Sequence, residues 1–68
     1  MRREVATEPW EYVLYELPDG GYEIDVFANQ SAFYYFKTHR LTDEEAAKVK
    51  ARGAAYLQTL AHRIRYGA

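Results

Sequence analysis

Two carboxylates, Glu23 and Asp25, are the residues of this chain whose spacing best suits acid–base chemistry. They lie two residues apart in a segment with the composition of a β-strand, so their side chains share one face about 7 Å apart. Such a pair could act as general acid and general base. The solvent-facing side of a strand has the same pattern, and we adopt that interpretation.

Other reactive side chains are few. His39 and His62 are potential zinc ligands, but neither an H-x-x-x-H nor an H-E-x-x-H spacing is present. Ser31, the only serine, lies in a polar break with no base marked as its partner. There is no glycine-rich phosphate-binding motif. We therefore predict that the protein is not an enzyme and that it has no catalytic residue, metal site or cofactor.

Composition limits the class of protein. Sixty-eight residues make one small domain, and 49% hydrophobic with 16% aromatic residues indicates a folded chain. With no cysteine, neither a disulfide nor a cysteine-ligated zinc can reinforce so small a core, which leaves self-association or very good packing. No apolar run is long enough to span a membrane. The missing cysteines are compatible with a reducing cytoplasm, and we expect a cytoplasmic protein.

The order of segments predicts an α+β fold. Residues 1–9 are interpreted as a flexible N-terminal tail and residues 10–68 as a single β-β-β-α domain. Segments rich in aromatic and β-branched residues predict strands at 10–17, 22–28 and 32–40. Because the connections are short, these strands should form an antiparallel meander in the order 1-2-3, with one C-terminal helix on one face.

The first hairpin has two plausible registers. A type I turn with a glycine bulge pairs Leu17 with Gly21 and places Tyr12 and Leu14 on the face of Ile24 and Val26. A two-residue turn instead pairs Leu17 with Tyr22 and brings Val13 and Tyr15 to that face. We favour the first register, because the sequence Pro18-Asp19-Gly20 suits it.

Thr42 and Glu45 have the spacing of a capping box, which predicts a helix over residues 43–66. Helical spacing places one stripe against the sheet, formed by Ala46, Val49, Gly53, Tyr56, Leu57, Leu60 and Ile64. The simplest reason for Gly53 at its centre is a close approach to a bulky residue of the sheet; a hinge is the alternative.

The aromatic run of residues 33–36 is the strongest indication of function. Successive side chains of a strand point to opposite faces, so each face of the sheet receives two aromatic residues. One helix can cover only one face, and the other face therefore needs a partner. We predict a small protein–protein interaction module, with a homodimer or an unidentified protein as partner. The expected contact residues are Trp10, Tyr15, Phe27 and Tyr34.

The predicted helix offers a second contact surface. Small side chains dominate the side opposite the sheet, which consists of Ala47, Ala51, Ala54, Ala55, Gln58 and His62. Association of two copies could use this surface or the uncovered sheet face, and the sequence leaves both open.

Nucleic-acid binding is an alternative function. Exposed aromatic residues can stack on bases, and Lys37, His39 and Arg40 follow the aromatic run directly. The β-β-β-α order is also similar to the later part of double-stranded RNA-binding domains. Those domains carry a lysine cluster where this chain has Asp43, Glu44 and Glu45, so the resemblance does not transfer their function.

A further resemblance involves turn and cap residues. The segments Asp19-Gly20-Gly21-Tyr22 and Thr42-x-Glu44-Glu45-Ala46 resemble the hallmark of HicB-type antitoxins. The resemblance implies an antitoxin- or immunity-type inhibitor of a bacterial protein as another alternative. We interpret it as convergence on common hairpin and helix-cap chemistry and assign no family.

Overall fold

The computed structural model describes residues 1–30 and 33–67. It confirms an α+β fold with an antiparallel sheet, but it has four strands and two helices where the sequence predicted three strands and one helix. The elements are β1 (Arg3–Glu8), β2 (Tyr12–Glu16), β3 (Tyr22–Gln30), β4 (Phe33–Arg40), α1 (Asp43–Arg52) and α2 (Ala54–Tyr66). The strands lie side by side in chain order, so β1 and β4 form the two edges of the sheet.

Strand β1 lies within residues 1–9, which we expected to be a flexible tail. It pairs antiparallel with β2 from Arg3↔Glu16 to Glu8↔Tyr12, with a bulge between Glu4 and Ala6. Arg3 and Glu16 also form an ion pair across the two strands. The prediction of three strands was wrong because β1 is held by pairing with β2 rather than by an apolar pattern of its own.

The β2–β3 hairpin has the register that we favoured. The Leu17 N–H donates to the Gly21 carbonyl at 2.8 Å, and Gly20 has the positive φ, 89°, that the bulged turn requires. Tyr12 pairs with Val26 and Leu14 with Ile24, which places all four on the helix side of the sheet. All four are buried.

The prediction of one continuous helix was wrong, because the helix is interrupted at Gly53. This residue has φ 63° and ψ −137°, and its N–H donates to the Val49 carbonyl at 2.7 Å to close α1. A Cβ built on Gly53 would meet no atom within 4 Å, so the close approach that we expected is absent. Glycine is used here for its backbone conformation. Neither α1 nor α2 is long and apolar enough to cross a membrane.

The start of α1 is as predicted. Thr42 Oγ1 accepts from the Glu45 N–H at 3.1 Å, and Glu45 Oε1 accepts from the Thr42 N–H at 2.8 Å, which completes the capping box. The helices cover one face of the sheet. The core between them consists of Tyr12, Leu14, Ile24, Val26, Leu41, Tyr56, Leu57, Leu60 and Ala61.

Candidate protein interface

The β3–β4 hairpin continues past the rest of the sheet. The ladder between β2 and β3 ends at Tyr12↔Val26, whereas the ladder between β3 and β4 continues from Phe27↔Phe36 to Gln30↔Phe33. We call this projecting part, residues 27–30 and 33–36, the arm. The predicted aromatic run thus lies on one strand of a two-stranded projection.

Four aromatic rings cluster on the sheet face away from the helices, which we call the open face. The Phe27 ring lies at the centre, 5.1 Å from Trp10, 5.4 Å from Tyr34 and 5.7 Å from Phe36 between ring centroids. Trp10 is 76% exposed, Tyr34 67% and Phe36 55%. We call these four residues the aromatic patch; it is the largest group of touching, exposed rings in the described chain.

The other face of the arm also carries aromatic side chains. Phe33 and Tyr35 point to the helix side of the sheet, yet they are 75% and 41% exposed. The cause is that α2 ends at the base of the arm: Lys37 Nζ donates to the carbonyls of Ile64 and Arg65, the latter at 3.1 Å. The expectation that each face would receive two aromatic residues therefore holds for Phe33–Phe36, and neither pair is covered.

Trp10 reaches the patch from the turn between β1 and β2. The Glu11 N–H donates to the Glu8 carbonyl at 2.9 Å, which closes a turn with Pro9 and Trp10 at its centre. Trp10 has φ 64°, in the left-handed region that glycine usually occupies. For a bulky residue this conformation costs free energy. It brings the indole edge-on to the Phe27 ring.

The half of the open face away from the aromatic patch carries an ion-pair network. Arg2 bridges the two carboxylates of the candidate acid–base pair, at 2.6 Å from Glu23 Oε1 and 3.0 Å from Asp25 Oδ2. Hydrogen bonds to Asp25 and then Glu23 raise the pKa of the Arg2 guanidinium. Thr38 Oγ1 donates to Asp25 at 2.7 Å. Asp25 is thereby buried in an ion-pair network, the usual structural solution for a buried charge.

Tyr15 lies in this polar half and not in the aromatic patch. The Arg2 guanidinium sits 3.9 Å above the centre of its ring, and the side chain is half-buried. Of the four predicted contact residues, Trp10, Phe27 and Tyr34 are therefore brought together and Tyr15 is separate. Phe36 was not among the predicted contact residues, although it follows Tyr34 by two residues and therefore lies on the same face of the strand.

The two histidines lie in different surroundings. His39 Nε2 is 2.9 Å from Glu45 Oε1, and Arg63 is 3.3 Å from the other oxygen of Glu45. His62 packs against the Tyr66 ring at 4.8 Å. Burial opposes ionisation of Glu45, but hydrogen bonds from Thr42 and His39 outweigh it and hold its pKa below the ordinary value. The described residues contain no group of three or more ligands that could hold a metal ion.

Cations on β4 and at the end of α2 are bound by other groups of the protein. Lys37 binds the last carbonyls of α2, as above, and Arg40 pairs with Asp19 at 2.7 Å. The hydrogen bond from Arg40 lowers the pKa of the Asp19 carboxyl. Arg65 pairs with Glu11 at 3.2 Å. The phosphate backbone of a nucleic acid would have to displace these partners.

The small-residue side of the helices is exposed along its length. Its members Ala47, Ala51, Ala54, Ala55, Gln58 and His62 all face solvent. Gly53 interrupts the surface, since α1 ends one residue before it and α2 begins one residue after it. Ser31, the candidate nucleophile, lies outside the described residues.

Comparison with known proteins adds no functional information: no family model, curated protein or solved structure matches this chain.

Proposed function

We propose that this chain is a small, cytoplasmic, non-enzymatic protein–protein interaction module that forms a homodimer through the aromatic patch. The observation that carries the proposal is the cluster of Trp10, Tyr34 and Phe36 around Phe27, with three of its four rings mostly exposed. Exposed aromatic groups of this kind are typical of protein interfaces, where they supply much of the binding free energy.

The amount of exposed aromatic surface supports a partner. Together with Phe33 and Tyr35, the exposed rings present roughly 600 Å² per protomer, taking about 200 Å² for each aromatic side chain. A monomeric soluble protein exposes a largest apolar patch of about 300–600 Å², and a standard interface buries about 800 Å² per partner. The open face alone, with Trp10, Tyr34 and Phe36, presents about 400 Å², which a monomer can tolerate. The sum over both faces is close to what one half of a dimer buries, so a contact that uses both faces of the arm has enough aromatic surface.

The backbone at Trp10 also favours a binding role. A tryptophan at positive φ raises the free energy of the folded monomer, and its ring is left largely in water. Glycine would relieve the turn at no cost in packing within the core. A strained and exposed aromatic residue is typical of an interface, and the indole supports the Phe27 ring at the centre of the patch.

The sheet supports association better than the helices do. The exposed side of α1 and α2 presents mainly methyl groups of alanine, which offer little area per residue, and Gly53 divides it into two segments. High helix propensity is sufficient to explain alanine at these positions. We therefore assign the contact to the part of the sheet that carries the aromatic patch.

The test is the solution mass of the protein across concentration. Sedimentation equilibrium from about 1 µM to about 1 mM should show a transition from one chain to two, and the melting temperature should rise with protein concentration. A mass of one chain over the whole range, with a constant melting temperature, would overturn the proposal.

A matched pair of tyrosine variants tests the location of the contact. Tyr34→Ser removes a ring from the patch, and Tyr66→Ser removes an equally exposed ring at the end of α2. We expect Tyr34→Ser to raise the dimer Kd by about tenfold or more and Tyr66→Ser to leave it unchanged. Equal effects, or an effect of Tyr66→Ser alone, would place the contact elsewhere.

A further inference from the structure

The outer edge of β4 has free main-chain groups, and the hydrogen bonds identify them. The Leu41 N–H donates to the Tyr22 carbonyl at 3.0 Å, so Leu41 and Tyr22 form a hydrogen-bonded pair of the β3–β4 ladder. Hydrogen-bonded and non-hydrogen-bonded pairs alternate along antiparallel strands. The main-chain groups directed away from β3 are therefore those of Tyr34, Phe36, Thr38 and Arg40.

A second hydrogen bond supports this assignment. The Phe27 N–H donates to the Glu11 carbonyl at 2.9 Å, towards β2 and away from β4. Phe27 and its neighbour Phe36 thus form a non-hydrogen-bonded pair of the β3–β4 ladder. The N–H and C=O of Phe36 consequently point outward.

The two edges of the sheet differ in their protection against pairing. The β1 edge carries charged side chains at Arg3, Glu4 and Glu8 and is distorted by a bulge, which are two of the features that prevent edge-to-edge association. The arm half of β4, Phe33–Phe36, has four aromatic residues and neither a charge nor a proline. Each protomer therefore has one edge that is ready to pair.

We propose that β4 pairs antiparallel with the β4 strand of a second copy, so that two four-stranded sheets become one sheet of eight strands. This inference rests on the self-association proposed above and specifies its geometry. Because only one edge of each protomer is unprotected, the contact is isologous and closes at two chains. A dimer, not a fibre, is the expected product.

The arrangement of the dimer follows from the alternation of the ladder. In an antiparallel pair, an outward-directed residue must lie opposite an outward-directed residue. In β4 these residues include Tyr34 and Phe36, whose side chains lie on the open face. Pairing of two β4 edges therefore joins the two aromatic patches on one face of the eight-stranded sheet and places both helix layers on the other.

Edge pairing also explains why both faces of the arm are aromatic. If two open faces stacked on each other, Phe33 and Tyr35 would remain in water on the helix side. In a paired edge, each side chain on either face lies beside a side chain of the partner strand. Edge pairing is thus the geometry that gives all four residues of Phe33–Phe36 a neighbour in the partner strand.

Charge selects the register. A two-fold axis beside Lys37 would set two lysines opposite each other, and an axis beside Thr38 would set Lys37 opposite the partner's His39. An axis beside Tyr35 or Phe36 instead places Lys37 opposite the partner's Phe33 or Tyr35. Like charges directly opposite are destabilising, which excludes the axis beside Lys37. The axis beside Thr38 would leave Phe33, Tyr34 and Tyr35 beyond the end of the partner's β4, so the axis lies beside Tyr35 or Phe36.

Amide hydrogen exchange measured by NMR tests the pairing on the unmodified protein. Well above the dimer Kd, the Tyr34 and Phe36 amides should exchange at least about tenfold more slowly than well below it. The Tyr35 amide, directed at β3, should be protected at both concentrations and serves as the control. Unprotected Tyr34 and Phe36 amides in a proven dimer would overturn edge pairing and leave the proposed function standing.

A backbone variant gives a second test. In a chemically synthesised chain, N-methylation of Phe36 removes one outward N–H and retains the ring. We expect the dimer Kd to rise by about tenfold or more, with an unchanged circular dichroism spectrum of the monomer. An unchanged Kd of the N-methylated chain would exclude edge pairing but leave the proposed homodimer standing. An unmodified chain that stays monomeric would overturn the proposed function as well. If the methylated monomer does not fold, the exchange experiment decides.

Discussion

Arg65 Nε donates a 2.8 Å hydrogen bond to the main-chain carbonyl of Phe27. The Nη2 atom of the same guanidinium bonds to the Glu11 carbonyl at 3.1 Å and to the Glu11 carboxylate at 3.2 Å. One side chain from the last turn of α2 thus joins the helix end to the residue where the arm begins and to the turn that holds Trp10. The position of the aromatic patch depends on this connection.

We expect Arg65→Met to lower the free energy of unfolding by about 1–3 kcal/mol, because the hydrogen bonds to two main-chain carbonyls are lost while the aliphatic stem is kept. Arg63→Met is the matched control, since the Arg63 side chain is mostly exposed and makes one 3.3 Å ion pair with Glu45. Its cost should be below about 1 kcal/mol. Urea unfolding at one fixed protein concentration measures both, and equal costs would contradict the role given to Arg65.

Substitutions of Gly53 test why the helix is interrupted between α1 and α2. Its φ of 63° and ψ of −137° are unfavourable for an L-residue but are the mirror image of an ordinary extended conformation. We expect Gly53→Ala to lower the free energy of unfolding by about 1–3 kcal/mol. D-alanine at the same position, introduced by synthesis, should raise it by about 0.4–1 kcal/mol, because it restricts the unfolded chain without strain.

The two residues at position 53 have the same side chain, and an added Cβ meets no neighbour. Any difference between them therefore reports backbone conformation alone. Thermal unfolding of the two variants at equal concentration is sufficient to measure it. If L-alanine were the more stabilising of the two, the helix would be continuous through this position.

Local signals in the sequence were sufficient for the β2–β3 hairpin and for the start of α1. Pro18-Asp19-Gly20 determines the turn of the hairpin, and Thr42 with Glu45 determines the cap of α1. Both act through contacts between residues close in the chain. Both predictions were confirmed for this reason. The interruption at Gly53 had no such local signal, because a continuous helix and an interrupted one place the same residues on the sheet.

Strand β1 could not be predicted from its own residues, because half of them are charged and its two apolar residues, Val5 and Ala6, are adjacent rather than alternating. Its partners are distant in sequence: Arg3 pairs with Glu16, and Arg2 with Glu23 and Asp25. The same contacts explain the error at Tyr15. An arginine 13 residues earlier in the chain covers its ring, and strand periodicity carries no information about that contact. Phe36 could have been included, because it follows Tyr34 by two residues.

Trp10 allows the strain of the turn to be separated from the contact made by the ring. Trp10→Ala and Trp10→Gly both remove the indole from Phe27, but only glycine suits φ 64°. We expect the glycine variant to be more stable than the alanine variant by about 1 kcal/mol when both are monomeric. The dimer Kd should rise to a similar extent in both.

Unfolding at concentrations below the dimer Kd gives the stability difference, and sedimentation gives the two Kd values. An alanine variant as stable as the glycine variant would show that the turn relaxes once the indole is gone. Unchanged Kd values would remove Trp10 from the contact surface and leave the other rings of the patch to account for association.

The acid dependence of stability depends on Glu45, which caps α1 and pairs with His39 and Arg63. Its pKa in the folded protein lies below the ordinary value of 4.5, so the folded state binds the proton more weakly than the unfolded state does. The stabilisation is therefore complete above about pH 4.5 and is lost as the pH falls through the lowered pKa. We expect Glu45→Gln to cost about 1–2 kcal/mol near pH 7, and the difference from the unmodified protein should shrink below pH 4.5.

Glu44→Gln is the control, because Glu44 precedes Glu45 but is exposed and lies 3.8 Å from its one ion-pair partner, Lys48. We expect it to change the free energy of unfolding by less than about 0.5 kcal/mol at any pH. Urea unfolding from about pH 2.5 to about pH 7 compares the two variants. A difference for Glu45→Gln that persists undiminished at the acid end would mean that packing, and not the carboxylate charge, is what position 45 contributes to the fold.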